Sequence, residues 1–347
     1  MQNSFSIFLS LLVFSIVIVV HELGHYISAR IFGVTVHEFA VGIGPAIFKH
    51  KSKKTGTIFS LRIIPFGGFN KLEGEDEDSN DVSHSFLHKA PWKRLIILLS
   101  GSIANIILGY LIFVFIISTS VTVSVPKIDQ VMTDYPVHQG GLLPGDQIIR
   151  INNHKINTIN DVQYYLSQSK NHDTTTDFII KRQNETLTKS LKPIYIEKES
   201  RYVFGIIYSR EQSNLWSGMK YGFYDTVLIS KSIFDFLGRL LTWRMGDIQV
   251  TGPIGVIAKI SETSQDRSNG LLGVLFLAGQ IIIGVGTMNL MPIPALDGGK
   301  ILFILVEIIR RKKISIDRES YIHFIGFVIL VTLMIIITVF DVLRLRT

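Results

Sequence analysis

Thirteen residues, VIVVHELGHYISA at positions 17–29, restrict this chain more than any others. They place His21, Glu22 and His25 at the end of a run that carries no charged residue from the first position onward. Ionisable side chains at membrane depth are costly, so where they occur they are expected to have a function. The pattern H-E-x-x-H has a mechanical sense. At about 3.6 residues per helical turn, His21 and His25 share one face and can grip a single metal ion, while Glu22 projects to the side, within reach of a water. Imidazole nitrogen is an ordinary zinc ligand, and catalytic zinc commonly takes three protein ligands and leaves one position open. In a soluble helix the same pattern would as readily be two surface histidines. Inside an apolar segment that bland reading loses most of its weight.

Four apolar runs, 5–29, 95–125, 271–291 and 324–342, are long enough to cross a membrane. The mean hydropathy of +0.35 agrees, although 347 residues would also suffice for two soluble domains. The first run lacks a basic flank and a small-residue cleavage site, so it is expected to be retained and not removed as a signal peptide. The chain has no cysteine, which excludes disulfides and thiolate metal sites and leaves nitrogen and oxygen to hold any metal. The net charge of +7 gathers beside the membrane runs, where it sets orientation and meets anionic headgroups of the lipid bilayer. No nucleic-acid motif is present, and no nucleic-acid partner is expected.

No Lys or Arg precedes the first run, and Arg30 follows it. The next loop carries Lys49, Lys51, Lys53, Lys54 and Arg62, then Lys89, Lys93 and Arg94. The positive-inside rule puts this loop in the cytosol and the N-terminus outside. Residues 126–215 are then exported, the basic stretch 310–313 returns inside, and the C-terminus ends outside, against the sign of Arg344 and Arg346. On this topology the first and third runs both pass from outside to inside. His21 lies beyond the middle of the first, and the third ends at NLMPIPALDGGK (289–300), where Pro292 and Pro294 break the helix ahead of Asp297. Two polar constellations far apart in sequence thus reach similar depth, as a shared metal site requires. An Asp before Gly-Gly and an apolar run also suits a helix cap. The matched depth, with no other carboxylate in the membrane runs near that face, favours a ligand. Irregular backbone at that depth is tolerated only when buried in protein or lining a water-filled cavity.

TGTIFSLRIIPFGGFNKLEG (55–74) reads as strand, tight Gly67-Gly68 turn, strand. Such a β-hairpin is either a plain cover for the loop or an edge on which an extended substrate pairs by β-augmentation. Glu73, Glu75, Asp76, Glu77, Asp78 and Asp81 are expected to form a solvated turn. His84 and His88 have metal-pair spacing but no general base beside them, and read as interfacial. Residues 126–210 turn polar, with short β-like runs (KIDQVM, QIIRINN, DFIIKR, SLKPIYI, YVFGIIY), one helical stretch at 161–167 and a Gly/Pro turn in GLLPGDQIIRINN. That length suits one small β-rich domain. Within 211–260, YGFYDTVLISKSIFDFLGRLLTW is amphipathic, with Lys231, Asp235 and Arg239 on one side, and is expected on or partly in the membrane surface.

HELGH in the first membrane run, with NLMPIPALDGG in a late one, closely resembles the site-two protease family of intramembrane zinc metalloproteases, in the arrangement of the bacterial RseP group. The resemblance spans nearly the whole chain. IPFGGFNKLEGED is similar to the family's membrane-associated β-loop, and GSIAN (101–105) resembles its G-P-x-x-N motif with Ser102 in place of proline. GLLPGDQIIRINN resembles a PDZ domain, YVFGIIY (202–208) the strand beside its carboxylate-binding loop, and TGPIGVI the motif before the third segment. The resemblance implies that His21, His25 and Asp297 ligate Zn2+ and that Glu22 is the catalytic acid/base. It also implies that Asn289, Asn105, Gly67 and Gly68 lie near the substrate. There is room for one PDZ module where the best-known members carry two, so regulation by paired modules does not carry over.

The expected fold is therefore an α-helical membrane protein of about four transmembrane helices, with a membrane-associated β-loop and one inserted, β-rich, PDZ-like periplasmic domain. Its parts are expected at 1–125, 126–210, 211–260 and 261–347. The expected function is zinc endopeptidase action on single-span membrane proteins (anti-sigma-factor-like substrates or remnant signal peptides) in the bacterial inner membrane, with the active site towards the cytosol. The PDZ-like domain would either take a peptide C-terminus or block large ectodomains. Two other readings compete. A metal or proton transporter would spread its ligands along a path through the membrane and favours inverted repeats, whereas this chain shows one cluster and no such symmetry. An inactive PDZ-bearing scaffold gives no reason to keep Glu22 between two ligands.

Overall fold

A computed structural model of the chain describes residues 2–75, 83–168, 175–196, 201–242, 252–265 and 270–344. It divides into two compact units, Met1–Tyr110 with Ser230–Thr347, and Leu111–Ile229.

The first unit opens with α1 (Gln2–Ile31), whose uncharged sequence up to His21 leaves no polar stripe for solvent. Next come β1 (Val36–Lys51) and β2 (Ile58–Leu72), then α2 (Pro91–Thr119, counted in this unit up to Tyr110), which begins with a proline at a helix start that needs no N–H donor. β1 and β2 pair as a two-stranded antiparallel sheet in which each strand folds back on itself. Val41 is matched to both Gly68 and Leu61, and residues 46–51 pair with 58–62 on the far side. Residues 68–72 pair with 36–41, and among the described residues no strand lies on their other edge. This corrects the hairpin expected within 55–74. Gly67 and Gly68 do not join two short strands but sit inside one long one, Gly67 at φ +86°, because 36–51 supplies the partner. The acidic turn also differs: Glu73 pairs with His37, and Glu75 with Lys300 at 2.6 Å. Asp76, Glu77, Asp78 and Asp81 lie outside the described residues.

The second unit holds the inserted β-rich module. Its strands are β3 (Thr122–Val131), β4 (Gln147–Ile151), β5 (His154–Lys155), β6 (Thr176–Arg182), β7 (Glu185–Leu191), β8 (Ile194–Ile196), β9 (Arg201–Val203) and β10 (Ile206–Gln212). Short α3 (Pro136–Gln139) and α4 (Ile159–Gln168) lie among them, and α5 (Leu215–Leu241) follows, counted in this unit up to Ile229. The main sheet runs β10-β3-β4-β6-β7 with β5 beside β4, and β8 pairs with β9. Ile128, Val137, Leu142, Ile148, Ile151, Phe178 and Ile180 are fully buried between the sheet and its helices. The turn in GLLPGD closes on Asp146, which accepts from the Leu143 amide at 2.9 Å and from two nitrogens of Arg182 at 2.8 Å each. β3 starts at Thr122 and not beyond 125, because the β-branched run TVSV pairs with 211–212 of β10 and its neighbours.

The remaining helices, α6 (Pro253–Ser264), α7 (Gly270–Asn289), α8 (Asp297–Arg310) and α9 (Ile316–Arg344), belong to the first unit. Among the described residues, four helices are long and apolar enough to cross a membrane: Ile7–Ile31, Pro91–Thr119, Gly270–Asn289 and Ile316–Leu343. The last begins eight residues before the expected position 324, the helix continuing through its charged start. The residue ahead of α6 is Gly252, which has no side chain to cap it. Buried Asp341 of α9 does so instead, accepting from the amides of Gly252 at 3.2 Å and Gly255 at 2.8 Å.

Candidate active site

His21, Glu22 and His25 are all buried on α1. α1 meets α2 at Gly24 and Gly101. A Cβ on Gly24 would stand 2.4 Å from the Ser100 carbonyl oxygen, and one on Gly101 2.3 Å from His25 Nε2, so glycine is what lets the helices close. The closeness has a chemical result. His25 Nδ1 lies 2.7 Å from the carbonyl oxygen of Ile97. A carbonyl can only accept, so Nδ1 carries the proton and Nε2 of the neutral ring keeps its lone pair. Ser28 and Ser100 join the same two helices by a 2.7 Å hydroxyl contact.

Asp297 reaches these histidines from the other end of the chain. α7 stops at Asn289, Pro292 and Pro294 keep 290–296 out of a helix, and α8 restarts at Asp297. The residue at the cap position is Leu296, which makes no side-chain cap bond, and the Asp297 carboxylate turns to α1 instead. Its Oδ2 lies 3.1 Å from Nε2 of His21 and 3.1 Å from Nε2 of His25, and the two nitrogens are 3.2 Å apart. Ligand atoms about 2.0–2.1 Å from a tetrahedral zinc stand about 3.3 Å from one another. The three atoms therefore form one face of such a site, and two imidazole nitrogens with one carboxylate oxygen are a donor set zinc accepts. Among the described residues this is the group of three that could hold a metal. His84 and His88 instead make contacts to Ser83 and Ser85 in a turn.

β2 brings the rest. A Cβ on Gly68 would stand 2.9 Å from Cγ of Glu22, so the strand can pass this close to α1 only at glycine. Two residues along, on the same side of the strand, Asn70 donates from Nδ2 to Glu22 Oε2 at 2.7 Å and to the Glu22 carbonyl oxygen at 2.7 Å. Sequence reasoning missed Asn70. The signal available was strand alternation counted from Gly68. A cavity of about 380 Å³ is lined by the three ligand candidates, Glu22 and residues 68–72, together with Lys300 and Glu75. Of the residues expected near the substrate, Gly68 lines this cavity and Gly67 adjoins it in the bend. Asn289 sits with its amide 3.4 Å from His21 Nε2. Asn105 is fully buried, its side chain without a partner among the described residues, where a Cβ on Gly286 of α7 would come within 3.0 Å of it.

The family model for Peptidase family M50 matches residues 9–333. The chain belongs to peptidase family M50. It is 33% identical, over 98% of both chains, to a Clostridium acetobutylicum protein whose name describes a zinc metalloprotease. It is 27% identical to the regulator of sigma-W protease RasP of Bacillus subtilis, over 96% of this chain and 97% of that one. A solved PDZ domain of an SdrC-like protein from Listeria monocytogenes is 22% identical over 26% of this chain and 93% of its own, with a TM-score of 0.22. This M50 chain is a zinc metalloprotease and, with four helices of spanning length and composition, an integral membrane protein. The resemblance read from HELGH and LDGG is thereby established at the level of the family.

Proposed function

We propose that this M50 protease hydrolyses peptide bonds in or beside the transmembrane helices of single-span membrane proteins, with His21, His25 and Asp297 holding its zinc and Glu22 moving the proton. The observation that carries this reading is the convergence of three ligand atoms within 3.1–3.2 Å of one another, with a buried carboxylate on the adjacent residue. Zinc held there supplies a Lewis acid and brings the pKa of water to about 7. Glu22 takes a proton from the attacking water as its oxygen bonds to the scissile carbon, and returns one to the leaving amine as the C–N bond breaks. The Asn289 amide stands close enough to donate to an oxygen that gathers negative charge beside His21.

A substrate helix hides its carbonyls in i→i−4 hydrogen bonds, so it must unwind before it can be cut. Residues 68–72 pair with 36–41 on one side only, no strand among the described residues covers their other edge, and they line the cavity, which supports capture of the unwound stretch by β-augmentation. Basic residues in the 30–94 loop support a cytosolic position for this side and an extracytoplasmic one for the module beginning at β3. That module, assigned to 126–210 and PDZ-like by resemblance, is proposed to take a peptide C-terminus or to exclude substrates with large ectodomains. Anti-sigma-factor-like proteins and remnant signal peptides are the substrate classes proposed, within regulated intramembrane proteolysis. The test is metal analysis of the purified chain beside Asp297→Ala, coupled to cleavage of a membrane-spanning peptide. About one zinc per chain with cleavage, both lost in the variant, is expected. A variant that keeps zinc and cleaves overturns the assignment.

A further inference from the structure

We propose that Asn70 is the positioning residue for Glu22, holding its carboxylate in the one orientation from which a proton can be taken and returned. The inference rests on the reading of Glu22 as the proton carrier. Both protons of the Asn70 amide are spent on that one residue, one on Oε2 and one on the backbone carbonyl oxygen, each at 2.7 Å. Bridging a side chain to its own backbone closes a ring that fixes the rotors of an otherwise flexible glutamate. Oε1 receives no hydrogen bond from the described residues and is the oxygen left for the proton in transit.

Stability alone does not call for asparagine here. Its Oδ1 is buried and has no partner among the described residues, which costs free energy that a leucine of similar shape would avoid. The amide orientation is not arbitrary, because both Glu22 atoms are acceptors and only Nδ2 can face them. Asn70 also sits on the strand run 68–72 that lines the cavity, so the strand proposed to hold substrate and the group proposed to move its proton are joined through one side chain. Removing a partner that orients a functional group in a metal site typically costs 10–100-fold.

The test uses the full chain in detergent, with zinc content, thermal unfolding and steady-state cleavage of a membrane-spanning peptide measured for Asn70→Leu, Asn70→Gln and Glu22→Gln. Asn70→Leu is expected to keep its zinc and its unfolding temperature, to lose about 10–100-fold in kcat, and to leave KM within about threefold. Asn70→Gln keeps a donor on a longer stem and should recover part of kcat. If Asn70→Leu does not fold, Asn70→Ala replaces it. That variant is smaller, lacks the donor, and must lose at least as much kcat. The inference is overturned by kcat within twofold of wild type, by a kcat loss that follows zinc loss or unfolding, or by a raised KM with kcat kept. Glu22→Gln separates the two levels. If it cleaves normally, the reading of Glu22 itself fails. If it holds zinc and is inactive while Asn70→Leu is unchanged, only the role of Asn70 falls.

Discussion

His25 donates its Nδ1 proton to the carbonyl oxygen of Ile97 across 2.7 Å, and the contact exists because Gly101, one turn further along α2, has no side chain. A methyl group at Gly101 would stand 2.3 Å from Nε2, the atom proposed to meet the metal. Gly101→Ala is therefore expected to push the ring off both the Ile97 carbonyl and the metal position. Zinc affinity should fall by at least about 10–100-fold, with cleavage falling in parallel. Gly238→Ala is the control, since an added Cβ there meets nothing within 4 Å. Retention of zinc by Gly101→Ala through a graded chelator challenge, at the level of the Gly238→Ala control, would show that helix packing does not set this ligand.

Glu22→Gln keeps the shape of the side chain and still offers Asn70 an oxygen, but it no longer accepts a proton. Because the three converging ligand atoms come from other residues, zinc content should stay at the wild-type value. Loss of a positioned acid/base costs about 10²–10⁴ in rate. The check is inductively coupled plasma analysis and peptide cleavage on one preparation. Zinc loss together with activity would mean that Glu22 acts on the metal site and not on the proton.

The membrane architecture was legible because an apolar run of spanning length has few alternatives to a helix. The expected 271–291 and the observed Gly270–Asn289 nearly coincide. The early start of α9 was obscured by Asp317, Arg318 and Glu319, which lower hydropathy while leaving helix formation intact. That His21, His25 and Asp297 meet followed from helical spacing and matched depth. The proton on His25 did not, since it depends on how closely Gly24 and Gly101 let two helices approach. Strand β1 was hidden by Gly42, Gly44 and Pro45, which read locally as breakers. Gly67-Gly68 read as a turn for the same reason, whereas the need it meets is passage of a strand past Glu22. No local rule encodes that need, and Asn70 was missed with it.

Asp341 ties the end of α9 to the start of α6 through the amides of Gly252 and Gly255. A carboxylate at a helix N-terminus meets both free N–H groups and the positive end of the helix dipole. Asp341→Ala leaves those amides without their acceptor and is expected to cost about 1–2 kcal/mol. The unfolding temperature in detergent should drop by a few degrees while zinc content is unchanged. Asp341→Asn, which keeps one acceptor, should fall between. An unchanged midpoint for Asp341→Ala would remove this carboxylate from the account of how α6 is held.

Asp225 of α5 is buried within the second unit, where Asn160 donates to its Oδ2 at 2.9 Å while its Oδ1 has no partner among the described residues. Burial pushes its carboxyl up to about 6 from an ordinary 3.8, and the charge of Asp161 adds to this, against hydrogen bonds from Thr158 and Asn160. A carboxyl with a raised folded-state value binds its proton more tightly folded than unfolded. Its contribution is thus fully present below about pH 4 and is lost as pH rises through about 6. A shift of about two units corresponds to at most about 3 kcal/mol. Asp225→Asn should abolish this dependence and raise the unfolding temperature at pH 7.5, where the wild type buries a charge. Unfolding of both forms followed from pH 4 to 8 decides the matter: parallel profiles would mean that the buried carboxyl does not titrate with folding, and convergence at low pH that it does.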